Sequence, residues 1–133
     1  MQGWRSSNED THIALLDFRP GFSLLAVFDG HGGAEVAKFC ENHFVKELLK
    51  DSDFNAGNYE QALKNTFLTV DNLLLRPNGR KELLRYSRMN ENMVPGDDYA
   101  QTAGTTANVA LVTPSHIYVA NAGDSRCVAS VQD

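Results

Sequence analysis

Cysteine, positive charge and long apolar runs are all scarce in this sequence of 133 residues. Its two cysteines, Cys40 and Cys127, lie far apart without metal-ligand spacing, so the sequence contains neither a zinc-binding pattern nor a disulfide framework. Lysine and arginine total 12 against 17 acidic residues, and the net charge of −5 argues against a nucleic-acid-binding protein, which normally carries a basic patch. No apolar run approaches the roughly 20 residues that a membrane-spanning helix needs.

These absences also indicate a class of protein and a compartment. With 42% hydrophobic and 22% charged residues, the composition is that of an ordinary globular domain. We expect both cysteines to be buried free thiols in a reducing compartment, and a disulfide between them is the alternative. Nothing in the sequence resembles a charged and then apolar leader, so we expect a location in the cytoplasm, the nucleus or both.

Hydrophobic periodicity predicts strands towards both ends of the chain. Residues 11–18 and 22–28 are short apolar runs joined by Arg19-Pro20-Gly21, which is typical of a β-hairpin. Three later strands are predicted, at 105–112, 117–122 and 126–131. Because the strands fall in two groups with helices between them, the fold class is predicted to be α+β, with helices on one face of a largely antiparallel sheet.

Two amphipathic helices are predicted between the groups of strands. Residues 34–50 place apolar side chains at the three- and four-residue spacing of a helix face. The second helix, 59–75, follows Asn58, whose spacing from Gln61 resembles a capping box, and Pro77 is expected to stop it. The remaining segments are predicted to be a loop at 51–58, a short basic helix at 81–88 and a long loop at 90–99.

The most informative stretch is Phe28-Asp29-Gly30-His31-Gly32-Gly33, which directly follows a predicted strand. A carboxylate at a strand end can leave the core on a rigid backbone, and hard cations such as Mg²⁺ and Mn²⁺ prefer carboxylate and carbonyl oxygens. Gly30 permits a sharp turn and could present its own carbonyl to an ion. The alternative is structural, because Asp29 or His31 could instead cap the helix that begins near Ala34.

Acidic residues also stand at two other strand ends. The pair Glu9-Asp10 precedes the first strand, and Asp124 follows the strand 117–122. If these carboxylates meet Asp29, their concentrated negative charge requires cations, and a two-metal centre that binds phosphate becomes attractive. Arg5 could then hold the phosphate with its planar guanidinium. A solvated surface is the alternative for the Glu9-Asp10 pair, and also for Arg5 taken singly.

His31 stands apart from the other histidines because it adjoins this carboxylate turn. Its ordinary pKa near neutrality would let it protonate the leaving oxygen of a phosphate ester. His43 falls within a predicted helix beside Phe44, and we expect it to have a structural role.

Four motifs follow one another along the whole chain. They are Met1-Gln2-Gly3-Trp4-Arg5 leading to Glu9-Asp10-Thr11-His12, the turn of residues 28–33, Gly104-Thr105-Thr106-Ala107, and Val119-Ala120-Asn121-Ala122-Gly123-Asp124-Ser125-Arg126. Together they resemble the metal-dependent serine/threonine protein phosphatases of the PPM, or type 2C, family. The resemblance implies a sandwich of two antiparallel sheets flanked by helices, in α-β-β-α layers, with a two-metal site that takes Mg²⁺ or Mn²⁺.

The resemblance also implies which residues would hold the metals. Asp29 would bridge the two ions, while Glu9 and the Gly30 carbonyl would ligate one of them. Asp10 would act through water, and Asp124 matches an aspartate associated with an additional, looser metal position.

The implied reaction is the hydrolysis of phosphoserine or phosphothreonine in protein substrates by a water activated at this centre. Arg5 would hold the substrate phosphate and His31 would be the general acid. A catalytically inactive regulatory or scaffold module of the same family is the alternative. Retention of the whole constellation favours the enzyme.

The sequence departs from the family pattern in two places. Asn8 replaces the methionine that usually precedes the Glu-Asp pair, a change expected to affect packing more than chemistry. The aspartates and strands of the family's second half are absent, so residues 1–133 are expected to be the N-terminal part of a single catalytic domain. We expect this part alone to be poorly active, and its open sheet edge could pair with a second copy or with another chain. Residues 80–101 could help to select substrates, and a solvated loop is the alternative.

Overall fold

The computed structural model describes residues 2–88 and 103–131. Within these residues the chain is α+β, as predicted, with helices between two groups of strands. The elements in order are β1 (Thr11–Arg19), β2 (Phe22–Phe28), β3 (Gly30–His31), α1 (Glu35–Lys50), α2 (Ser52–Asn55), α3 (Tyr59–Leu75), α4 (Pro77–Arg88), β4 (Gly104–Thr105), β5 (Ala107–Val112) and β6 (Ile117–Ala122).

The main sheet has four antiparallel strands in the order β1-β2-β5-β6. Thr11 pairs with Phe28, and Val27 pairs with Asn108. The start of β1, the end of β2, the start of β5 and the end of β6 therefore meet at one end, which we call the site end. Just beyond it, β3 and β4 form a two-stranded ladder in which Gly30 pairs with Thr105.

Alternation along the strands separates a buried face from an exposed one. On β2, Leu24 and Phe28 are fully buried, whereas Leu25 and Val27 are 43% and 50% exposed. The buried face packs against the helices, where the Phe28 ring lies 6.0 Å from that of Phe44. Burying a large apolar side chain contributes roughly 1.5–3 kcal/mol, so this face is a main source of the domain's stability.

The described residues contain some of the layers of the predicted fold. The antiparallel sheet with helices on one face is confirmed, and the described residues supply one helical layer and one four-stranded sheet of the predicted α-β-β-α arrangement. The outer face of the sheet, where the resemblance places a second sheet, exposes apolar side chains. These include Leu25, Val27, Ile117 and Val119.

The segment between the two long helices was wrongly predicted to be a loop. Asp51 accepts hydrogen bonds from the backbone N–H groups of Asp53 and Phe54 at 2.9 and 3.1 Å, and this cap starts the short helix α2. Asn58 does not form the predicted capping box. Its side chain donates instead to Asp53 Oδ1 at 3.1 Å, and the first turn of α3 has no side-chain cap.

Proline ends one helix and begins the next. The helix α3 ends at Leu75, as predicted, but Pro77 opens α4, so the predicted basic helix begins earlier than residue 81. Proline suits the first helical position because its φ is already helical and its missing N–H would have no partner there. The predicted loop at 90–99 lies outside the described residues.

The predicted strand at 126–131 is wrong. These residues pair with no described strand, and Val128 and Val131 are exposed. A strand forms only where a neighbour satisfies its N–H and C=O groups, and apolar alternation cannot supply that neighbour. Among residues 2–88 and 103–131, no helix is long and apolar enough to cross a membrane.

Both cysteines are free thiols, as predicted, but only one of them is buried. Cys40 lies in α1 against the core, and burial raises the pKa of its thiol to about 12, so it is inert at neutral pH. Cys127 is exposed, which contradicts the expectation that both were buried. The reason is that residues 126–131 do not join the sheet.

Candidate active site

The turn after β2 is fixed by hydrogen bonds to the chain between β4 and β5. The N–H of Asp29 donates to Thr106 Oγ1 at 3.2 Å, and the N–H of Thr106 donates to the Asp29 carbonyl at 2.9 Å. The backbone of Asp29 is therefore held at two points, while its side chain lies at an exposed position. This arrangement lets a carboxylate leave the core from a rigid support.

The structural alternative for Asp29 and His31 does not hold. The residue that caps α1 is Ala34, and no side chain makes a capping hydrogen bond there. Asp29 and His31 belong instead to the turn and to β3. The polar groups of this turn are thus not explained by helix capping.

His31 lies across Gly104, its partner in the β3–β4 ladder. A Cβ atom on Gly104 would collide with Nε2 of the His31 ring. The absence of a side chain at residue 104 therefore determines where the imidazole can lie. This is a clear reason for glycine at the start of the Gly104-Thr105-Thr106-Ala107 motif.

Three of the predicted site residues line one open depression at the site end. Asp29 and His31 form one side of it, and Asp124 lies on the other, with a volume of about 610 Å³ between them. Antiparallel pairing explains the meeting, because β2 and β6 both end here on either side of β5. The rest of the lining is Thr105, Thr106, Ala122 and Gly123.

Glu9 reaches the same end of the sheet through its backbone. A Cβ on Gly30 would lie 2.5 Å from the Glu9 carbonyl oxygen, so the two backbones are in contact and Gly30 leaves no room for a side chain. Glu9 is half-buried and Asp10 is exposed. The N–H of Asp10 donates to Asn8 Oδ1 at 3.2 Å, a contact that the family's usual methionine could not make.

Arg5 lies in a turn near the start of the described chain. The backbone N–H of Arg5 donates to the Gln2 carbonyl at 3.2 Å, and the Arg5 carbonyl accepts a hydrogen bond from Gln2 Nε2 at 2.9 Å. Arg5 is exposed. In the part of the chain that the structure describes, the lining of the depression does not include Arg5, Glu9 or Asp10.

The donor chemistry fits a hard divalent cation, but the described residues do not complete a site for one. The Asp29 and Asp124 carboxylates and the Gly30 carbonyl are oxygen donors of the kind that Mg²⁺ and Mn²⁺ prefer. Across residues 2–88 and 103–131, no three histidine, cysteine, aspartate or glutamate side chains lie together as a metal-binding group. Of these oxygen donors, the described structure brings the Asp29 and Asp124 residues to the lining of one depression.

Two residues at this end were not singled out from the sequence, Thr106 and Ser125. Thr106 Oγ1 lies 2.6 Å from Ser125 Oγ, which links the start of β5 to the loop that carries Asp124. Both belong to motifs that carried the resemblance, yet neither has an obvious chemical role when read alone. Only the structure shows that the two hydroxyl groups meet.

Comparison with known proteins decides the family. The family described as protein phosphatase 2C matches residues 1–133. The chain belongs to the protein phosphatase 2C family. The resemblance read from the four motifs is therefore confirmed.

Relatives in this family come from distant organisms. The chain is 51% identical over 128 residues to "Probable protein phosphatase 2C 4" of Paramecium tetraurelia, a match that covers 96% of this chain and 40% of that protein. It is 36% identical over 158 residues to "Probable protein phosphatase 2C 60" of Arabidopsis thaliana, which covers 98% of this chain and 44% of that protein. The chain thus spans less than half the length of these relatives.

A solved structure shows the same fold. The serine-threonine phosphatase 2C from Toxoplasma gondii aligns with a TM-score of 0.63 over 92% of this chain and 40% of that chain. The two sequences are 17% identical, so this likeness supports the α+β architecture alone.

Proposed function

We propose that the full-length protein is a serine/threonine protein phosphatase, and that residues 1–133 form the N-terminal part of its catalytic domain. The observation that carries the proposal is the depression shared by Asp29, His31 and Asp124 in a chain of the protein phosphatase 2C family. The exposed apolar face of the sheet supports the second half of the proposal, since a large exposed apolar surface normally marks an interface.

The oxygen donors at the site end have the first role in this proposal. Asp29, the Gly30 carbonyl, Glu9, Asp10 and Asp124 would contribute to holding Mg²⁺ or Mn²⁺ together with ligands from outside the described residues. Bound divalent ions supply charge stabilisation at a phosphoryl group and lower the pKa of a bound water. The backbone of Asp29 is anchored at two points, so little backbone entropy is lost when a ligand binds its carboxylate.

His31 and Arg5 have the roles that act on the substrate. His31 holds a proton on its ring and gives it to the serine or threonine oxygen as the bond to phosphorus breaks. Arg5 offers a planar set of donors that matches a phosphate dianion, and its exposed position leaves the guanidinium open to a substrate. We propose phosphorylated proteins as the substrates and the cytoplasm or nucleus as the location.

The proposed function is tested with the full-length protein and synthetic peptides. We expect release of inorganic phosphate from a phosphothreonine peptide in the presence of Mn²⁺, much slower release from the matched phosphotyrosine peptide, and none in excess chelator. No release from any peptide with Mn²⁺ or Mg²⁺ would indicate the inactive regulatory module instead. Residues 1–133 alone are expected to release phosphate slowly. Sedimentation of the same material tests pairing through β1 or β6, the two edge strands of the described sheet.

A further inference from the structure

Thr106 contacts both sides of the depression. It lies between β4 and β5 and is only 8% exposed. Its Oγ1 accepts the Asp29 N–H at 3.2 Å and lies 2.6 Å from Ser125 Oγ, next to Asp124 in the chain. One buried hydroxyl thus joins the turn after β2 to the loop after β6.

The methyl group of Thr106 makes a second contact with the same loop. Gly123 has a φ of +95°, and a Cβ added there would lie 2.8 Å from Thr106 Cγ2. The backbone of Gly123 therefore packs directly on the methyl group. Hydroxyl and methyl together hold Gly123 and Ser125, the two neighbours of Asp124.

Threonine at position 106 makes both the hydrogen bonds and the methyl contact, whereas valine or serine could make only one of the two. Valine would keep the methyl contact but would leave the N–H of Asp29 without its acceptor in a partly buried hydrogen bond, and a typical intramolecular hydrogen bond contributes about 0.5–1.5 kcal/mol. Serine would keep the hydrogen bonds and lose only the methyl contact. The two substitutions therefore separate hydrogen bonding from packing.

We propose that Thr106 is a positioning residue that sets the separation of Asp29 and Asp124 across the depression. Its effect on turnover rests on the proposed phosphatase function, whereas its effect on the Asp29 backbone does not. Removing a group that hydrogen-bonds to a metal-ligating residue and orients it typically lowers metal affinity or activity by about 10–100-fold.

The test compares Thr106→Val and Thr106→Ser in the full-length protein with a matched control. Thr66 is a second buried threonine, and its Oγ1 donates to the Ala62 carbonyl within α3 at 2.8 Å, away from the site end. Thr66→Val therefore removes a comparable buried hydroxyl without touching Asp29 or Asp124. Ser125→Ala removes only one arm of the network.

In Thr106→Val, we expect the Asp29 amide hydrogen to exchange with solvent about tenfold faster than in the unchanged protein, and the Mn²⁺ concentration for half-maximal activity to rise about tenfold. The KM for a phosphothreonine peptide should change little. Thr106→Ser should restore most of both values, and Ser125→Ala should show a smaller change in the same direction. Thr66→Val should change neither value.

The exchange measurement separates the two proposals, because it needs no catalytic activity. An unchanged full-length protein that releases no phosphate would overturn the phosphatase function, and the Asp29 amide would still report on Thr106. Equal exchange in Thr106→Val and Thr66→Val would overturn the positioning role. If Thr106→Val does not fold, Asp29 exchange and Mn²⁺ dependence in Ser125→Ala that equal those of the unchanged protein would overturn it as well.

Discussion

The imidazole of His31 occupies the space that a side chain on Gly104 would take. Because the conflict involves Nε2, the far end of a flexible side chain, Gly104→Ala can be accommodated by turning the ring rather than by moving the sheet. We expect this substitution in the full-length protein to lower kcat about tenfold or more while shifting the melting temperature little. Phosphate release and thermal unfolding measure the two effects.

A double-mutant cycle shows whether Gly104→Ala lowers kcat by displacing the His31 ring. If it does, Gly104→Ala adds nothing to the loss already caused by His31→Gln, since interacting sites give non-additive effects. Equal fractional losses in both backgrounds would show instead that the alanine acts on another part of the site.

The proposed proton donor is tested by changing the leaving group. His31→Gln should lower kcat on a phosphothreonine peptide by about 100-fold or more, and much less on p-nitrophenyl phosphate, whose phenolate leaves without needing a proton. The control is His43→Gln, because His43 stacks on Phe39 and pairs with Glu82 between α1 and α4. That variant should lose thermal stability and keep its selectivity between the two substrates. Equal losses on both substrates in His31→Gln would argue against its acting as the acid.

The pair formed by His43 and Glu82 predicts a dependence of stability on pH. Burial alone would raise the pKa of Glu82, but hydrogen bonds from Tyr86 and His43 and the charges of His43 and Lys46 together lower it below its ordinary value of 4.5. A carboxylate with a lowered pKa stabilises the fold above that value, and its contribution is lost as the pH falls through the folded-state pKa.

The matched variants for this pair are Glu82→Gln and Glu60→Gln, since Glu60 is an exposed partner of Lys64 within one helix. At about pH 7, Glu82→Gln should lower the free energy of unfolding by about 1 kcal/mol, and the difference should shrink at about pH 3.5. Glu60→Gln should have a smaller effect at pH 7, because exposed pairs are screened by solvent. If the free energy of unfolding lost in Glu82→Gln stays constant with pH, Glu82 does not have a lowered pKa in the folded protein.

The outer face of the sheet tests the proposal that residues 1–133 are part of a larger domain. Leu25 on β2 is 43% exposed and Leu68 on α3 is 65% exposed, so in residues 1–133 alone an aspartate at either position would remain in contact with solvent. If further chain covers the sheet in the full-length protein, Leu25→Asp should destabilise it by about 3 kcal/mol or more, and Leu68→Asp by about 1 kcal/mol or less. Urea unfolding measures both, and equally small losses would contradict the proposed domain.

Local patterns in the sequence predicted the elements whose partners are near in the chain. The strand β2, the helix α3 and the strand β6 have the predicted bounds, because their alternation or periodicity is continuous and their ends carry turn residues. Residues 126–131 were predicted wrongly since their apolar pattern has no described strand to pair with. Pro77 was read as a stop although it also suits a first helical position.

The sequence predicted which residues belong to the candidate site, but it predicted only some of their relative positions. The positions of Asp29, His31 and Asp124 follow from three strand ends that the topology brings together. The link between Asp29 and Thr106 could not be read from the sequence, because 77 positions separate the two residues. The ligand and catalytic roles of the site residues stay predictions.

Asp29 is the residue on which the proposed metal-dependent phosphatase site most depends. The most direct measurement is the Mn²⁺ dependence of phosphate release from a phosphothreonine peptide by the full-length protein, by Asp29→Asn and by the control Asp71→Asn, which changes an exposed aspartate on α3. We predict that Asp71→Asn matches the unchanged protein, and that Asp29→Asn loses about 100-fold or more in turnover and requires more Mn²⁺. Turnover and Mn²⁺ dependence in Asp29→Asn equal to those of Asp71→Asn would contradict the claim.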